Sequence, residues 1–178
     1  MNEFPIRKPN RLKDFDYSQY GYYFITVCTH ERKNIFGKIV NDGVGVIHES
    51  PAVIKSIAGN IADEMLSEIP IRYPNVKIDQ YIIMPNHIHM IVVIEDDRVN
   101  SDRVIRESPL RRSLISKIIG YLKMNTTKRI RNQNIKIYDV WQRSYYDHII
   151  RNRNEYEKIY NYIYENPENW KKDKYYIT

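Results

Sequence analysis

The chain has 178 residues, enough for one domain with a sizeable hydrophobic core. Its net charge of +6 favours an anionic partner, of which nucleic acid is the most common. No apolar run approaches the ~20 residues that span a bilayer, and the N-terminus lacks the apolar core of a signal peptide. We therefore expect a cytoplasmic protein with no membrane partner. The single cysteine, Cys28, excludes an internal disulfide.

Apolar periodicity predicts a series of strands and helices. In chain order these are a polar arm at 1–20, a strand at 22–29, a hairpin at 35–47, a helix at 51–69, strands at 76–83 and 87–94, a polar loop at 95–109, a long helix at 110–130, a short strand at 135–140 and a last helix within 152–166. Asn41-Asp42-Gly43 would form the turn of the hairpin, and Pro70 would end the first helix. Strands joined by hairpins and mixed with helices predict a single α+β domain with helices on one face of an antiparallel sheet.

Two histidines stand two residues apart in the apolar strand at 87–94. Residues i and i+2 of a strand point to the same face, so His87 and His89 project together while Ile88 and Met90 pack the other way. Two imidazoles on one rigid strand are half of a metal site. On spacing alone, a pair of hydrogen-bonded structural histidines is an equally good interpretation.

The last helix carries several of the 16 tyrosines. At about 100° per residue, one apolar stripe forms the expected core face. Its members are Tyr156, Ile159, Tyr160 and Ile163. Tyr162 lies off this stripe and shares a side with Asn166, four residues on. Geometry alone allows Tyr162 to be either a reactive hydroxyl or an ordinary surface aromatic.

Four blocks, in this order, carry a resemblance to a known family. They are Arg11–Ser18 followed by Tyr22–Thr29, then Met84-Pro85-Asn86-His87-Ile88-His89, Trp141–Arg151 and Tyr162-Ile163-Tyr164-Glu165-Asn166-Pro167. Together they resemble the REP-associated tyrosine transposases, a branch of the HUH single-tyrosine transposases. The resemblance implies a ferredoxin-like or RRM-like sheet of the HUH endonuclease type, with the paired histidines on a central strand.

The resemblance also implies a chemistry. Tyr162 would be the nucleophile, with Tyr164 as second choice, and His87, His89 and Asn166 would hold Mg²⁺ or Mn²⁺. The substrate would be single-stranded DNA beside a hairpin, of the REP or insertion-sequence type, cleaved and rejoined through a 5′-phosphotyrosine. Insertion-sequence members more often carry Gln where this chain has Asn166. Family members differ in assembly, so the resemblance allows a monomer or a homodimer.

Basic and aromatic residues outside this site are the candidates for DNA contact. They are Lys117, Lys123, Lys128, Arg129 and Arg131 on the long helix, and Trp141, Arg143, Tyr145, His148 and Arg151 in the block that follows. A solvated helix face or a core edge would explain any one of them equally well.

Three other functions fit the same residues. The first is a catalytically idle protein that binds hairpin DNA or RNA, and the second is a relaxase or replication-initiator nickase. The third is a metallohydrolase that uses water as nucleophile, which would survive the substitution Tyr162→Phe.

Overall fold

The computed structural model of the chain describes residues 20–40, 52–95 and 114–177. Its strands are β1 (Gly21–Cys28), β2 (Gly37–Val40), β3 (Ala52–Lys55), β4 (Val76–Ile83), β5 (His87–Ile94) and β6 (Tyr146–Ile150). Its α-helices are α1 (Ile57–Arg72), α2 (Leu114–Asn132) and α3 (Arg153–Tyr164). Among these described residues, no helix is both long and apolar enough to cross a membrane.

The main sheet has four described strands in the order β4-β5-β1-β6. All neighbouring strands are antiparallel, with Cys28 opposite His87 between β1 and β5, and Thr26 opposite Tyr146 between β1 and β6. Strands β2 and β3 form a separate antiparallel pair. The predicted α+β class with an antiparallel sheet is confirmed, and β5, with its two histidines, is a central strand as expected.

The two faces of the sheet are covered by different helices. The larger core lies on the face of α1 and α2, which pack against each other, and it takes Ile88, Met90 and Val92 from β5. On the other face, α3 packs over β4 and β5 through Ile163, which is fully buried. The predicted single helical face therefore holds for α1 and α2, whereas α3 covers the opposite face and leaves part of it open.

The start of the first helix was predicted wrongly. Ala52–Lys55 pairs with β2 as a strand, and α1 begins only at Ile57. Ser56 explains this boundary, because its hydroxyl accepts a hydrogen bond from the amide of Gly59 at 3.1 Å and caps the helix. The predicted turn at 41–43 lies outside the described residues. The end was also misplaced: α1 continues through Pro70 to Arg72, since proline removes only one helical hydrogen bond in this last turn.

Two further predictions differ from the structure. The strand predicted at 135–140 is absent from the described residues: this segment is irregular, and Ile135 and Ile137 pack against the core instead. Strand β6 was missed, because residues 146–150 belong to a block interpreted only as a DNA-contacting segment. The polar arm up to residue 19, the loop after Glu95 and the start of the long helix lie outside the described residues.

Candidate active site

Strand β1, strand β5 and helix α3 meet at His89. Thr26 and His89 are paired across β1 and β5, so the strand register places their side chains together. Thr26 Oγ1 lies 2.8 Å from His89 Nδ1, and the Tyr162 hydroxyl lies 3.2 Å from His89 Nε2. Both ring nitrogens of this fully buried histidine therefore have partners, which fixes the imidazole against the helix.

His87 has one satisfied nitrogen and one that is not. Asn86 donates its amide hydrogens to the carbonyls of Arg32, at 3.0 Å, and Tyr175, at 2.8 Å. Its Oδ1 therefore points at His87 Nδ1, 2.9 Å away, and an amide oxygen only accepts. The proton of His87 must lie on Nδ1, which leaves a lone pair on Nε2. That nitrogen is buried and makes no hydrogen bond with any described residue.

Asp173, which follows a 3₁₀ turn at Trp170–Lys172, brings a carboxylate to the two imidazoles. Ligand atoms of His87, His89 and Asp173 all lie within 4.8 Å of one another. Asp173 Oδ2 also accepts hydrogen bonds from the Tyr162 hydroxyl, at 3.1 Å, and from Asn166 Nδ2, at 2.9 Å. The carboxylate thus joins the candidate nucleophile to the histidine pair.

Asn166 lies beside the histidine pair, and its role as a metal ligand stays a prediction. The amide is buried and its nitrogen is used by Asp173, while its Oδ1 makes no hydrogen bond among the described residues. That oxygen lies on the side of His87 and keeps a free lone pair. Asp173, and not only Asn166, is therefore available as a third ligand beside His87 and His89.

Burial keeps both imidazoles neutral. It lowers the pKa of His87 to about 4, against the opposing effects of the Asp173 carboxylate and the Asn166 amide. Burial also lowers the pKa of His89 far below its ordinary value, and the neighbouring His87 lowers it further. Neutral imidazole is the form that binds a metal ion, so the two histidines are in their ligating state near pH 7.

Tyr162 is held in its protonated form. Burial raises the pKa of its hydroxyl well above the usual value, and the negative charge and hydrogen bond of Asp173 raise it further. The side chain is still 39% exposed, and its ring packs edge-on against Phe24. For Tyr162 to act as a nucleophile, a nearby positive charge must therefore lower the pKa of this hydroxyl.

The other tyrosines of α3 are further from this chemistry. Tyr156 donates its hydroxyl to Asp79 at 2.5 Å, and Tyr160 packs against the ring of Tyr156. Tyr164, the second choice for the nucleophile, is 71% exposed. Among these residues, only Tyr162 makes a described hydrogen bond to the histidine pair.

The C-terminal segment forms one wall of the site. The ring of Tyr175 lies 4.7 Å from that of His87, and Trp170 lies 5.9 Å from the same ring. Arg32 donates a hydrogen bond to the carbonyl of Lys174 at 3.1 Å, and the Lys174 ammonium lies over the Tyr175 ring. The segment therefore packs on His87 of β5 through two aromatic rings and is hydrogen-bonded to Arg32.

Several of the predicted DNA-contacting residues are engaged within the protein. Lys123 donates to the carbonyls of Gln142 and Ser144 at 2.6 and 3.0 Å, and burial lowers its pKa to about 8. Trp141 packs on Phe36 and donates to the carbonyl of Lys123. Arg129 binds the carboxylate of Glu68 at 2.5 Å. These contacts stabilise α2 and the segment after it.

The remaining candidates are divided between the two faces of the sheet. Arg131 donates to the carbonyl of Tyr138, and Tyr145 contacts the hydroxyl of Ser116. His148 Nε2 lies 2.6 Å from Glu155, beside α3. Lys117 is half-buried, and three other cations are exposed to solvent. These are Lys128, Arg143 and Arg151. Their DNA contacts stay a prediction.

Sequence reasoning missed three residues of this site: Thr26, Asn86 and Asp173. Asn86 stands in the quoted Met-Pro-Asn block, and its position directly before His87 was the available signal. Thr26 becomes significant only through its cross-strand pairing with His89. Asp173 comes close through the chain turn after α3, which no periodic pattern in the sequence indicates.

Comparison with known proteins shows a relative that is similar over nearly the whole chain. The chain is 35% identical to an uncharacterized protein of Haemophilus influenzae, in an alignment that covers 96% of this chain and 93% of the relative. The chain belongs to the same protein family as this Haemophilus influenzae protein. No family model matches the chain.

A solved structure extends the comparison to the fold. A REP-associated tyrosine transposase bound to a REP hairpin is similar with a TM-score of 0.56 and 18% identity. The similarity covers 94% of this chain and 73% of that one. The chain therefore has the fold of a transposase of this type.

Proposed function

We propose that this protein is a metal-dependent single-tyrosine endonuclease and strand transferase that acts on single-stranded DNA. Tyr162 attacks the scissile phosphate, and His87, His89 and Asp173 hold the divalent ion. The substrate is a strand adjoining a hairpin, in keeping with the sequence resemblance and with the hairpin bound to the transposase of similar fold.

One observation carries the proposal: the Tyr162 hydroxyl lies within hydrogen-bond distance of both His89 Nε2 and Asp173 Oδ2. Metal-assisted covalent catalysis requires a nucleophile close to the side chains that bind the metal ion, and the Tyr162 hydroxyl meets this requirement. Phe24 and Ile163 anchor the ring and the helix, so the hydroxyl is positioned from a rigid element.

The donor set fits a divalent ion. His87 Nε2 and Asn166 Oδ1 are buried without a hydrogen bond among the described residues, and an unsatisfied buried acceptor is costly unless a ligand takes it. Imidazole nitrogens combined with a carboxylate suit Mn²⁺ better than Mg²⁺, which prefers oxygen. We therefore expect Mn²⁺ to support activity at least as well as Mg²⁺.

The chemistry is a transesterification. The Tyr162 oxygen forms a bond to phosphorus, the bond from phosphorus to the 3′-oxygen breaks, and the proton of the phenol ends on the departing 3′-hydroxyl. The product is a 5′-phosphotyrosine, and religation is the reverse reaction. A bound divalent ion would polarise the phosphate and offset the negative field of Asp173, which otherwise keeps Tyr162 protonated.

The protein's own groups have separable roles. Asn86 and Thr26 orient the two imidazoles, and Asp173 accepts the hydrogen bond of the Tyr162 hydroxyl. Asp173 is therefore placed to receive the phenolic proton before it passes to the leaving oxygen.

The test is a denaturing gel of the protein with labelled single-stranded hairpin DNA from sequence flanking the gene. We expect a covalent protein–DNA band with Mn²⁺ that disappears with EDTA and in Tyr162→Phe, while Tyr164→Phe retains it. Cleavage that persists without an adduct in Tyr162→Phe would instead establish a water nucleophile. An adduct lost only in Tyr164→Phe would assign the nucleophile to that residue.

A further inference from the structure

A cavity lies on the same face of the sheet as the Tyr162 site. Its volume is about 590 Å³, within the range of small-ligand pockets. It is lined by Tyr22, Asp79, Ile150, Arg151, Asn152, Arg153, Tyr156 and Glu157. None of these residues takes part in the chemistry described above.

Strand register connects this cavity to the active site. Tyr22, Phe24 and Thr26 alternate along β1, so their side chains share the face on which His89 and α3 lie. Beside them, β6 pairs Ile150 with Tyr22 and Tyr146 with Thr26. The cavity is therefore about 13 Å along the sheet from Thr26, and the strip between them runs beside α3.

Two aromatic rings form a corner of the cavity. The rings of Tyr22 and Tyr156 lie 5.6 Å apart at 81°, so one presents its face where the other presents its edge. Asp79 accepts the Tyr156 hydroxyl, and this hydrogen bond raises the pKa of Tyr156 to about 12. A β-bulge between Ile78 and Gln80 aims Asp79 toward α3, so the ring is fixed by a specific backbone feature. A fixed, half-exposed aromatic corner suits the stacking of a flat nucleobase.

The cavity is lined by two cations, Arg151 and Arg153, and two carboxylates, Asp79 and Glu157. Arg153 is paired with Glu157 at 2.8 Å, and Asp79 is bonded to Tyr156, so these carboxylates already have partners. Arg151 uses its main-chain amide for Glu155, whereas its guanidinium is in no hydrogen bond with the residues that the structure describes. A guanidinium beside a stacking surface is the combination that binds a nucleotide through its base and its phosphate.

We propose that this cavity binds one nucleotide of the single strand that flanks the scissile phosphate. The base stacks on the face of one of the two rings, Tyr22 or Tyr156, and meets the edge of the other, while Arg151 contacts the adjoining phosphate. The proposal rests on the proposed function for the identity of the strand. The cavity would be a subsite at a fixed distance from Tyr162. That distance sets the number of unpaired nucleotides that the enzyme must bind on one side of the scissile phosphate.

The test measures binding without reaction, in a Tyr162→Phe background. Fluorescein-labelled oligothymidylates of about 4 to 16 nucleotides serve as probes, because aromatic stacking tolerates any base. Tyr22→Ala and Arg151→Ala should each raise the Kd of the long probes about tenfold and change that of the shortest probes little. Tyr22→Phe keeps the ring and should bind normally. Lys158→Ala, on the outer face of α3, removes the same charge as Arg151→Ala and serves as its control.

Each outcome decides between alternatives. Equal binding by Tyr22→Ala and Tyr22→Phe would overturn the stacking role, and equal binding by Arg151→Ala and Lys158→Ala would overturn the phosphate contact. Displacement of the probe by thymidine 5′-monophosphate as effectively as by the oligonucleotide would assign the cavity to a free nucleotide and reject the proposal. Photocrosslinking of a probe that carries 5-iododeoxyuridine should label Tyr22 or Tyr156, as mass spectrometry would show.

This test and the adduct gel fail independently. Loss of affinity in Tyr22→Ala without any adduct in the parent protein would retain the subsite and reject the strand-transfer function. A Tyr162-dependent adduct together with unchanged affinity in Tyr22→Ala would retain the strand-transfer function and reject the subsite.

Discussion

The Tyr162 hydroxyl lies 3.2 Å from Nε2 of His89, and this contact joins the last helix to the central strand of the sheet. Asp173 approaches the same hydroxyl at 3.1 Å from the C-terminal segment. The Tyr162 hydroxyl is therefore within hydrogen-bond distance of both the His89 imidazole and the Asp173 carboxylate, and the His87 imidazole lies beside them. The arrangement explains why Tyr162 stays protonated on its own and why a cation should activate it.

The substitution Asp173→Asn should weaken metal binding. It replaces a charged ligand by a neutral one among His87 and His89, and we expect the Kd for Mn²⁺ to rise at least tenfold. The pKa of Tyr162 should fall at the same time, because a negative charge leaves its hydroxyl. Isothermal titration calorimetry measures the affinity, and Glu168→Gln, an exposed neighbour, is the charge-matched control.

The same titration distinguishes the two candidates for the third ligand. If Asn166→Ala weakens Mn²⁺ binding and Asp173→Asn does not, the ligand set predicted from the sequence is right and Asp173 acts only on Tyr162. If both weaken it, the ion uses both side chains.

Removing the partner of His89 should cost both stability and activity. Thr26→Val leaves Nδ1 of His89 buried without its hydrogen bond, which should lower the free energy of unfolding by about 1–3 kcal/mol. The imidazole also loses its orientation, so adduct formation should fall about 10- to 100-fold. Urea unfolding and the adduct gel measure the two effects. Thr26→Ser keeps the hydroxyl and should behave as the parent, whereas a loss of activity in both variants would argue against this role.

The central elements of the site follow from local patterns. Strands β4 and β5 match their predicted bounds, because a β-branched run flanked by Met84-Pro85-Asn86 allows little other structure. The placement of Tyr162 off the apolar stripe of its helix also agrees with its contact to His89. Both inferences depend on periodicity over a few residues, which the sequence displays directly.

The missing parts depend on long-range contacts. Asp173 reaches His87 and His89 only because the chain turns back after α3, and neither spacing nor composition encodes that turn. Lys123 is a residue for which the sequence suggested a contact that the structure does not show. Its position on a basic helix suggested DNA contact, but its ammonium donates to the carbonyls of Gln142 and Ser144. The direction of a side chain relative to distant segments is what a single sequence does not display.

Lys123 and Lys128 should respond differently to the same substitution. Lys123→Met leaves backbone carbonyls of the segment after α2 without their donor, so we expect a loss of about 1–3 kcal/mol in unfolding free energy and little change in DNA binding. Lys128 is exposed beside the groove that Tyr138 and Arg131 line. Lys128→Met should leave stability unchanged and, if this groove contacts DNA, reduce the salt dependence of binding by about one counterion. Urea unfolding measures the stability of each variant, and fluorescence anisotropy at several salt concentrations measures its DNA binding. If Lys123→Met weakened DNA binding and Lys128→Met lowered stability, Lys123 would be the DNA contact and Lys128 the structural residue.

The stability of the metal-free protein should fall as the solution is made acidic. Burial holds the pKa of His87 at about 4 and that of His89 well below its usual value, whereas both titrate near 6.5 in the unfolded chain. Between about pH 6.5 and 4 the unfolded chain therefore binds protons that the folded protein excludes. The free energy of unfolding should then decrease by roughly 1.4 kcal/mol per pH unit for each histidine.

Urea unfolding in EDTA, from neutral pH downward, measures this slope, and two histidine variants isolate its origin. His87→Gln removes one of the two buried imidazoles, so its stability should depend less steeply on pH than that of the parent. His30→Gln removes a partly exposed histidine outside the buried pair and serves as the control. Equal slopes in all three proteins would mean that other groups, and not the buried histidine pair, govern the response to acid. With saturating Mn²⁺ the slope between pH 6.5 and 4 should stay the same, because the folded protein already holds both imidazoles unprotonated there, and the ion should extend the pH dependence below pH 4 by competing with protons for the imidazole nitrogens.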